Sequence, residues 1–358
     1  MVPGRGRKPQ GRHGPSADSR MGRCRQCLRG AAQPRFRRRA RAEGSARRRR
    51  EGRRRDHARR RLLLMRLSSR GTAFLFVIPS LVCLAGVIGY PLARAIETSF
   101  YRWNLISGTQ RWAGIKNFID IFQDPDTAQV AVTTMIYTAL AVGIELFAGY
   151  ALAIVFRTAI RRRLRGFPLM RVILCVPLFI APLIWAFYFR SIYSPNFGAF
   201  NSLLEWLGLP AIPWVNDPKF ALYSLVVADA WQWTPFMFAI ILAGMQTLPG
   251  EVVEAAKVDG ASAFQILYLI ELPLLKPILL VAVLLRLIDA LKNIDLVIVI
   301  TQGGPGTSTE ILNYYAYRTS FLDFQVGKGS ALALIVFAVI MALVLILLGA
   351  LRKKATAS

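Results

Sequence analysis

The segment Glu254-Ala-Ala-Lys-Val-Asp-Gly-Ala261, which continues to Ile270-Glu-Leu-Pro273, is half polar and lies between two long apolar runs. The run before it ends near Leu248, and the run after it begins near Ile278. Inside hydrocarbon, backbone bends and charged side chains would lack polar partners. The segment is therefore predicted to be a loop at an aqueous face, folded into short helices that a soluble partner can contact.

Apolar residues make up 54% of the 358-residue chain, and they occur in blocks rather than mixed with polar residues. An α-helix needs about 20 apolar residues to cross a hydrocarbon layer of about 30 Å. We therefore predict an all-α integral membrane protein with six transmembrane helices. The six blocks are residues 71–93, 130–156, 172–189, 221–248, 277–300 and 329–351.

Basic residues between the blocks indicate the orientation of the bundle. Residues 157–165 contain five arginines and residues 352–354 are all basic, whereas 97–128, 190–219 and 301–328 mix few cations with acids. Cytoplasmic loops of membrane proteins carry an excess of Lys and Arg. Both termini and the Glu254 segment are therefore predicted to be cytoplasmic.

An Arg-rich tail precedes the apolar blocks. Residues 1–66 hold 24 of the 46 Lys and Arg but only 4 of the 20 Asp and Glu. With almost no large apolar residue before Arg61, the tail is predicted to be disordered. It could bind nucleic acid through phosphate charge, lie against anionic lipid, or be no part of the natural protein. The last interpretation is favoured, because Met65–Arg70 already supplies a positive lead and nucleic acid is not an expected partner.

This organisation divides the chain into the tail at 1–66, a first transmembrane helix at 71–95 and a five-helix core at 126–351. The core contains the polar loop at 249–277. Lipid surrounds the helices in this arrangement, and the loop lies in water.

The reactive side chains favour no enzyme class. Cys24 and Cys27 form a C-x-x-C motif without a second pair, and the only histidines, His13 and His57, lie in the tail. Gly303–Gly306 lacks the Gly-Lys-Ser/Thr of a phosphate loop. We predict no catalytic residue, no metal site and no cofactor bound by this chain.

Between the first two blocks, apolar residues recur at helical spacing. They are Trp112, Ile115, Phe118, Ile119 and Phe122. The pattern predicts a short amphipathic helix, which either rests on the outer membrane surface or packs on the outer ends of the bundle.

Alternating charges step along the fifth block. Arg286, Asp289, Lys292 and Asp295 are three residues apart, so each can reach the next on one helix face. Four charges at about +3 kcal/mol each are too costly for a lipid-facing surface. This face is predicted to point into the bundle, either as an ion-paired ladder that holds helices together or as a polar wall along a translocation path.

The fourth block contains Asp229-Ala-Trp-Gln-Trp-Thr-Pro235, with an acid, an amide and two indoles near the middle of the membrane. Indole faces can stack on the apolar faces of sugar rings, while Asp and Gln bind hydroxyl groups. The tryptophans could instead be core or interface anchors, an interpretation favoured for Trp233. The candidates for the substrate path are Asp229, Trp231, Gln232, Asp289 and Asn293.

The polar loop is predicted to contain two short helices, 254–258 and 261–269, joined by a turn at Asp259-Gly260. Glycine can adopt the positive φ that such a helix end requires. Ala255 and Ala256 leave one side smooth enough for close docking, and the neighbouring carboxylates offer charge.

This spacing resembles the cytoplasmic loop of binding-protein-dependent ABC importer permeases. Their pattern is Glu-Ala-Ala, three residues, Gly, nine residues, Ile, one residue, Leu-Pro. Every position is matched here, by Glu254-Ala255-Ala256, Gly260, Ile270 and Leu272-Pro273. The resemblance identifies the ATPase-coupling residues as Glu254, Ala255, Ala256, Asp259, Gly260 and Ala261.

Further motifs are similar to carbohydrate-type permeases of the maltose and glycerol-phosphate group. They are Arg286–Lys292, Thr301–Gly306, Thr309-Glu310 and Tyr317-Arg318. The resemblance covers about residues 71–351 and implies the type I importer fold in a bacterial cytoplasmic membrane. It also implies a second permease in a heterodimer, an ATPase dimer that binds ATP and Mg²⁺, and an extracytoplasmic solute-binding protein.

The expected function is therefore a permease subunit of an ATP-driven importer for a sugar or related polyol. The alternative is an ion-coupled secondary carrier, with the charges of the fifth block as an ion relay. No internal repeat of the kind common in such carriers is visible in the sequence.

Overall fold

A computed structural model of the protein describes Gly52, Phe74, residues 76–162, Leu164 and residues 166–355. The predictions made for the Arg-rich tail therefore lie outside the described residues, apart from Gly52. From Ile88 onward the described chain forms one compact unit.

Helices dominate the described residues, and short 3-10 or π segments extend several of them. The α-helical elements are α1 Phe76–Ser99, α2 Lys116–Gln123, α3 Pro125–Arg161, α4 Phe167–Cys175, α5 Pro182–Ile192, α6 Ala199–Trp206, α7 Pro218–Gln246, α8 Gly250–Val258, α9 Ala263–Gln265, α10 Leu272–Lys292, α11 Leu312–Tyr317 and α12 Val326–Ala355. The extending segments include the 3-10 turn Val176–Phe179 after α4 and the π segments Ile266–Glu271, Val297–Thr301 and Arg318–Leu322.

Among the described residues, five helical stretches are long and apolar enough to cross a membrane. They are α1, α3, α7, the stretch Ala263–Thr301 that includes α10, and α12. The third predicted span is bent by 96° between α4 with its 3-10 turn and α5, so the total is six when this pair counts as one span. Pro177 and Pro182, which each lack a backbone N–H, flank the break in this span.

The fifth predicted span, 277–300, is also interrupted. α10 ends at Lys292, and Asn293 takes extended backbone angles of φ −60° and ψ 128° before a helix resumes toward Val297–Thr301. Non-helical backbone at membrane depth is tolerated where protein covers it or where it lines a polar cavity. The interruption therefore marks a position where a functional site can form.

A small antiparallel sheet, which the sequence did not predict, accompanies the helices. Strands β1 Tyr101–Trp103 and β2 Gln110–Trp112 pair in the segment between α1 and α2. Trp112 thus belongs to a strand, not to the predicted amphipathic helix, which begins at Lys116. The sequence cue was missed because the apolar residues of a three-residue strand are too few to show alternation.

α2 has a buried side and an exposed apolar side. Asn117 and Ile121 are buried against the bundle, whereas Ile115, Ile119 and Phe122 are exposed. Of the two predicted placements, packing on the ends of the bundle is confirmed for the first side. The second side leaves apolar surface that hydrocarbon can cover.

Two ion pairs connect chain segments near the ends of the helices of the bundle. Lys328 Nζ donates a 2.8 Å hydrogen bond to Asp124 Oδ2 and lowers the pKa of that carboxyl. Arg318 contacts Glu310, whose pKa is raised by its burial. The first pair joins the starts of α3 and α12, and the second joins the segment after α11 to the loop before α11.

α3 and α7 pack closely along each other and form the centre of the bundle. Gly149 on α3 permits the contact, because a β-carbon there would lie 2.7 Å from Met237 Cβ and 2.8 Å from the Phe238 backbone nitrogen. Met237 and Phe238 are both fully buried. The missing side chain at position 149 therefore sets the distance between the two helices.

We expect Gly149→Ala to lower the free energy of unfolding by about 1–2 kcal/mol, because overpacking outweighs the helix propensity gained. Gly143→Ala on the same helix is the matched control, since a β-carbon there has no neighbour within 4 Å. The control should raise stability by about 0.5–1 kcal/mol. SDS titration in detergent micelles measures both; equal effects of the two variants would contradict the close packing at Gly149.

Candidate functional site

A buried arginine joins three helices at the centre of the bundle. Arg286 on α10 has no exposed surface, and its Nε and Nη2 donate hydrogen bonds of 2.6 and 2.9 Å to the two carboxylate oxygens of Glu145 on α3. Nη2 also donates to Asp229 on α7. Glu145 and Asp229 are likewise fully buried. A bidentate guanidinium suits this site, because it satisfies two acids in a fixed geometry.

Further polar groups extend this cluster toward the break after α10. Asn293 Nδ2 donates to Asp229 Oδ1 at 3.2 Å and to the Tyr137 hydroxyl at 2.9 Å. Arg286 Nη1 reaches Asp289 Oδ2 at 3.2 Å, and the guanidinium carbon lies 5.0 Å from the centre of the Trp233 ring. The cluster therefore combines an ion pair, amide contacts and a cation–π contact.

The predicted ladder along the fifth block forms only at its first step. Arg286 pairs with Asp289, but within the described residues neither Lys292 nor Asp295 has an ion-pair partner. Glu145 and Asp229 from other helices are the closer partners of Arg286. The prediction that Arg286 faces into the bundle is confirmed, and its structural role is to join helices.

A polar cavity of about 210 Å³ adjoins the cluster. It lies at the bend of the third span, near Pro182, and at the interruption of the fifth span, near Asn293. Gln232 Nε2 donates to the Ile180 carbonyl at 3.0 Å, which satisfies a group freed by the bend before α5. Its Oε1 and the Trp185 Nε1 are buried without a hydrogen-bond partner among the described residues. The cavity is lined by Pro182, Trp185, Gln232, Trp233, Asp289, Lys292, Asn293 and Asp295.

Three of the five substrate-path candidates, Gln232, Asp289 and Asn293, line this cavity. Asp229 lies behind the wall and contacts the cavity only through Asn293. Trp231 does not line this cavity, so the structure does not group it with the other four candidates. It lines a separate apolar cavity of about 720 Å³, with its ring centre 5.5 Å from that of Phe189.

Helical geometry explains this separation. Successive side chains on an α-helix are rotated by about 100°, so residues two apart point in nearly opposite directions. Trp233 follows Asp229 by four residues, shares its face and lines the cavity. The i, i+4 spacing could have identified Trp233, whereas nothing in the sequence connects Trp185 to these residues.

The polar loop forms a second candidate site at another end of the bundle. α8 spans Gly250–Val258. The turn that follows it contains Gly260, which has a φ of +80°. Ser262 then caps the next helix, accepting from the Gln265 backbone N–H, while the Gln265 side chain accepts from the Ser262 N–H at 2.8 Å. The predicted helix–turn–helix is confirmed, although the second helix begins at Ala263 rather than at Ala261.

The predicted coupling residues lie on the surface of this loop. Glu254, Ala255, Asp259 and Gly260 are exposed, and Ala256 and Ala261 are half-buried. Large apolar side chains surround them, with Val258 88% and Leu269 72% exposed. Contiguous exposed apolar residues with charges among them are typical of a protein-binding surface.

Among the described residues, no three or more His, Cys, Asp or Glu side chains are grouped so that they could hold a metal ion. The carboxylates near the centre of the bundle bind Arg286 instead. The arrangement can therefore recognise polar groups.

Residues 145–356 match the family described as binding-protein-dependent transport system inner membrane component. The chain belongs to this family. It is a membrane permease component of an ABC transporter, a class in which a separate subunit hydrolyses ATP. The ion-coupled carrier and enzyme alternatives are thereby excluded.

Two relatives and one solved structure illustrate what this permease is similar to. The sulfoquinovosyl glycerol transport system permease protein SmoG of Agrobacterium fabrum is 35% identical, over 80% of this chain and 92% of its own. The trehalose/maltose transport system permease protein MalF of Thermococcus litoralis is 31% identical, over 77% and 92%. A bacterial ABC transporter that imports the polysaccharide alginate matches with a TM-score of 0.70 at 20% identity, over 81% and 98%.

Proposed function

We propose that this permease forms part of the import path for a sugar or related polyol. The observation that carries the proposal is the polar lining of the cavity, in which Gln232 and Trp185 each also carry a buried polar atom, Oε1 and Nε1, without a hydrogen-bond partner among the described residues. A hydroxyl group both donates and accepts, so the hydroxyls of a polyol can pair with carboxylate, amide and indole groups of such a lining. Relatives named as permeases for sulfoquinovosyl glycerol and for trehalose/maltose support the same solute class.

Other groups of the cavity suit a polyol as well. The Asp289 carboxylate and the Asn293 amide offer further hydrogen-bond partners, and the Trp233 face offers an apolar surface for a sugar ring. Asp229 acts indirectly in this scheme, by holding Arg286 and Asn293 in place. Trp231 has no assigned role in solute binding.

We expect Trp185→Phe to raise the apparent KM for uptake about tenfold, because the hydrogen bond to the solute is lost while the aromatic ring remains. Stability should fall by about 1 kcal/mol, since Trp185 is among the largest fully buried side chains and the smaller ring leaves a cavity. Tyr188→Phe on the same helix is the control, because Tyr188 is exposed. An unchanged KM in Trp185→Phe would exclude this donor from the solute site.

The Gly250–Val258 helix is proposed to seat in a cleft of the ATPase, through Glu254, Ala255, Ala256, Asp259, Gly260 and Ala261. Supporting observations are its exposure and the apolar residues beside it. The ATPase dimer binds ATP and Mg²⁺, and the loop at 249–277 lies in the cytoplasm together with both termini. The five-helix core at 126–351 carries the transport function, and the segment at 71–95 is a separate transmembrane helix.

In the proposed cycle, ATP-driven closure of the ATPase dimer draws together the coupling helices of this chain and of a second permease. The cavity then opens outward, and a docked solute-binding protein releases its sugar into it. Hydrolysis returns the bundle to the inward-open state. The dependence on a binding protein is supported by the family to which the chain belongs.

The test is mild solubilisation of native membranes, capture through a C-terminal tag and mass spectrometry of the captured proteins. We expect an ATPase, a second permease and a binding protein, and the binding protein should be stabilised against heat by a sugar or polyol from a screened panel. A binding protein that responds to amino acids or metal ions but to no sugar would overturn the solute class.

A further inference from the structure

A buried ion pair lies between the coupling loop and the core of the bundle. Arg157 Nη1, on α3, is 2.5 Å from Glu271 Oε2, at the end of the π segment Ile266–Glu271. The two side chains are only 12% and 6% exposed. The other ion pairs with so little exposure in the described chain belong to the Arg286 cluster.

The position of this pair connects two elements that the sequence separates by more than a hundred residues. α8 packs against the Ile266–Glu271 segment. Val253 on α8 and Ile266 on the segment are both buried. Glu271 then fixes that segment to α3, the helix that packs most extensively on α7. α3 also carries Glu145, the bidentate partner of Arg286 beside the polar cavity.

We propose that Arg157 and Glu271 are positioning residues that transmit movement of the coupling helix to α3 and thereby to the cavity. The inference rests on the proposed coupling function. Apart from this pair, the loop is joined to the bundle through its connection to α7 and through the continuation of the Ile266–Glu271 segment into α10, which packs on α3 and α7. With the pair, displacement of the coupling loop must also displace α3, because separating the ions would leave two buried charges unpaired.

The experiment uses the tagged permease captured with its ATPase and second permease in native membranes. Asp295→Cys at the cavity, in a background with the four cysteines replaced by serine, reports opening through labelling by an impermeant maleimide. Labelling is compared with and without ATP plus vanadate. Two variants reverse one charge each, Arg157→Glu and Glu271→Arg, and a third, the double swap, combines both reversals. Two further variants compare a retained with a removed charge, Arg157→Lys and Arg157→Gln.

We expect each single reversal to retain the ATPase but to reduce the nucleotide-dependent change in labelling at least fivefold. The double swap should recover at least half of that change, and Arg157→Lys should keep it where Arg157→Gln loses it. Glu97→Arg is the matched control, because the Arg94–Glu97 pair has a similar separation of 2.6 Å but is about half exposed. It should behave like the wild type.

Three results would overturn the inference: single reversals that respond like the wild type, a double swap no better than the worse single variant, or a wild type that retains the ATPase but shows no nucleotide response. If reversal prevents accumulation of the protein, the Arg157→Lys and Arg157→Gln comparison decides alone. A wild-type permease that captures no ATPase refutes the proposed coupling function, and this outcome is distinct from the other three.

Discussion

Arg286→Met is expected to lower the free energy of unfolding by about 3–5 kcal/mol, because it leaves two buried carboxylates without a cation. Glu145 and Asp229 are both fully buried, and Arg286 is their only ion-pair partner among the described residues. Arg286→Lys should recover only part of the loss, since one ammonium group cannot reproduce the bidentate contact. SDS titration in detergent micelles measures the difference.

Two comparisons isolate the charge effect. Arg102→Met removes an exposed pair with Asp120 of 2.6 Å separation and should change stability by less than about 1 kcal/mol. Adding Glu145→Gln and Asp229→Asn to Arg286→Met should restore much of the loss, because no unpaired charge remains. An Arg286→Met effect as small as that of Arg102→Met would mean that the buried cluster does not hold the three helices together.

Glu254→Lys is expected to reduce capture of the ATPase at least tenfold, which corresponds to about 1.4 kcal/mol or more of binding free energy. Uptake should fall to background for the same reason. Glu254 is exposed and makes no hydrogen bond or ion pair within the described chain, so the permease itself should keep its stability within about 0.5 kcal/mol. Co-purification with the tagged chain and an uptake assay measure the two effects.

The matched control for this variant is Glu205→Lys, an exposed acid on α6 in a segment predicted to face outward. It introduces the same charge change away from the polar loop and should leave ATPase capture intact. Normal uptake in Glu254→Lys would falsify the assignment of the coupling helix.

The sequence was sufficient for the elements with strong local patterns. The apolar blocks correspond to the spans, and the turn at Gly260 with its flanking helices follows the Glu254 segment closely. It was less informative where backbone breaks depend on context. Pro177 and Pro182 show where the backbone of the third span can break, but their positions do not give the size of the 96° bend between α4 and α5.

The candidate cavity was predictable only in part, for the same reason. Gln232, Asp289 and Asn293 were identified because polar residues in apolar blocks are rare. Trp185 was not identified, since its unpartnered Nε1 becomes apparent only when the bend brings α5 beside α7. The role of Glu145 as a partner of Arg286 likewise required knowledge of which helices are neighbours.

The most direct test of ATPase coupling is photo-crosslinking from single benzoylphenylalanine residues in intact membranes. Position 258 on the polar loop and position 206 on α6 are equally suitable probes, because Val258 is 88% and Trp206 80% exposed. The account predicts an ATPase adduct from position 258 and none from position 206. Absence of an ATPase adduct at 258, or its appearance at 206, would contradict both the coupling role of the loop and the orientation of the chain.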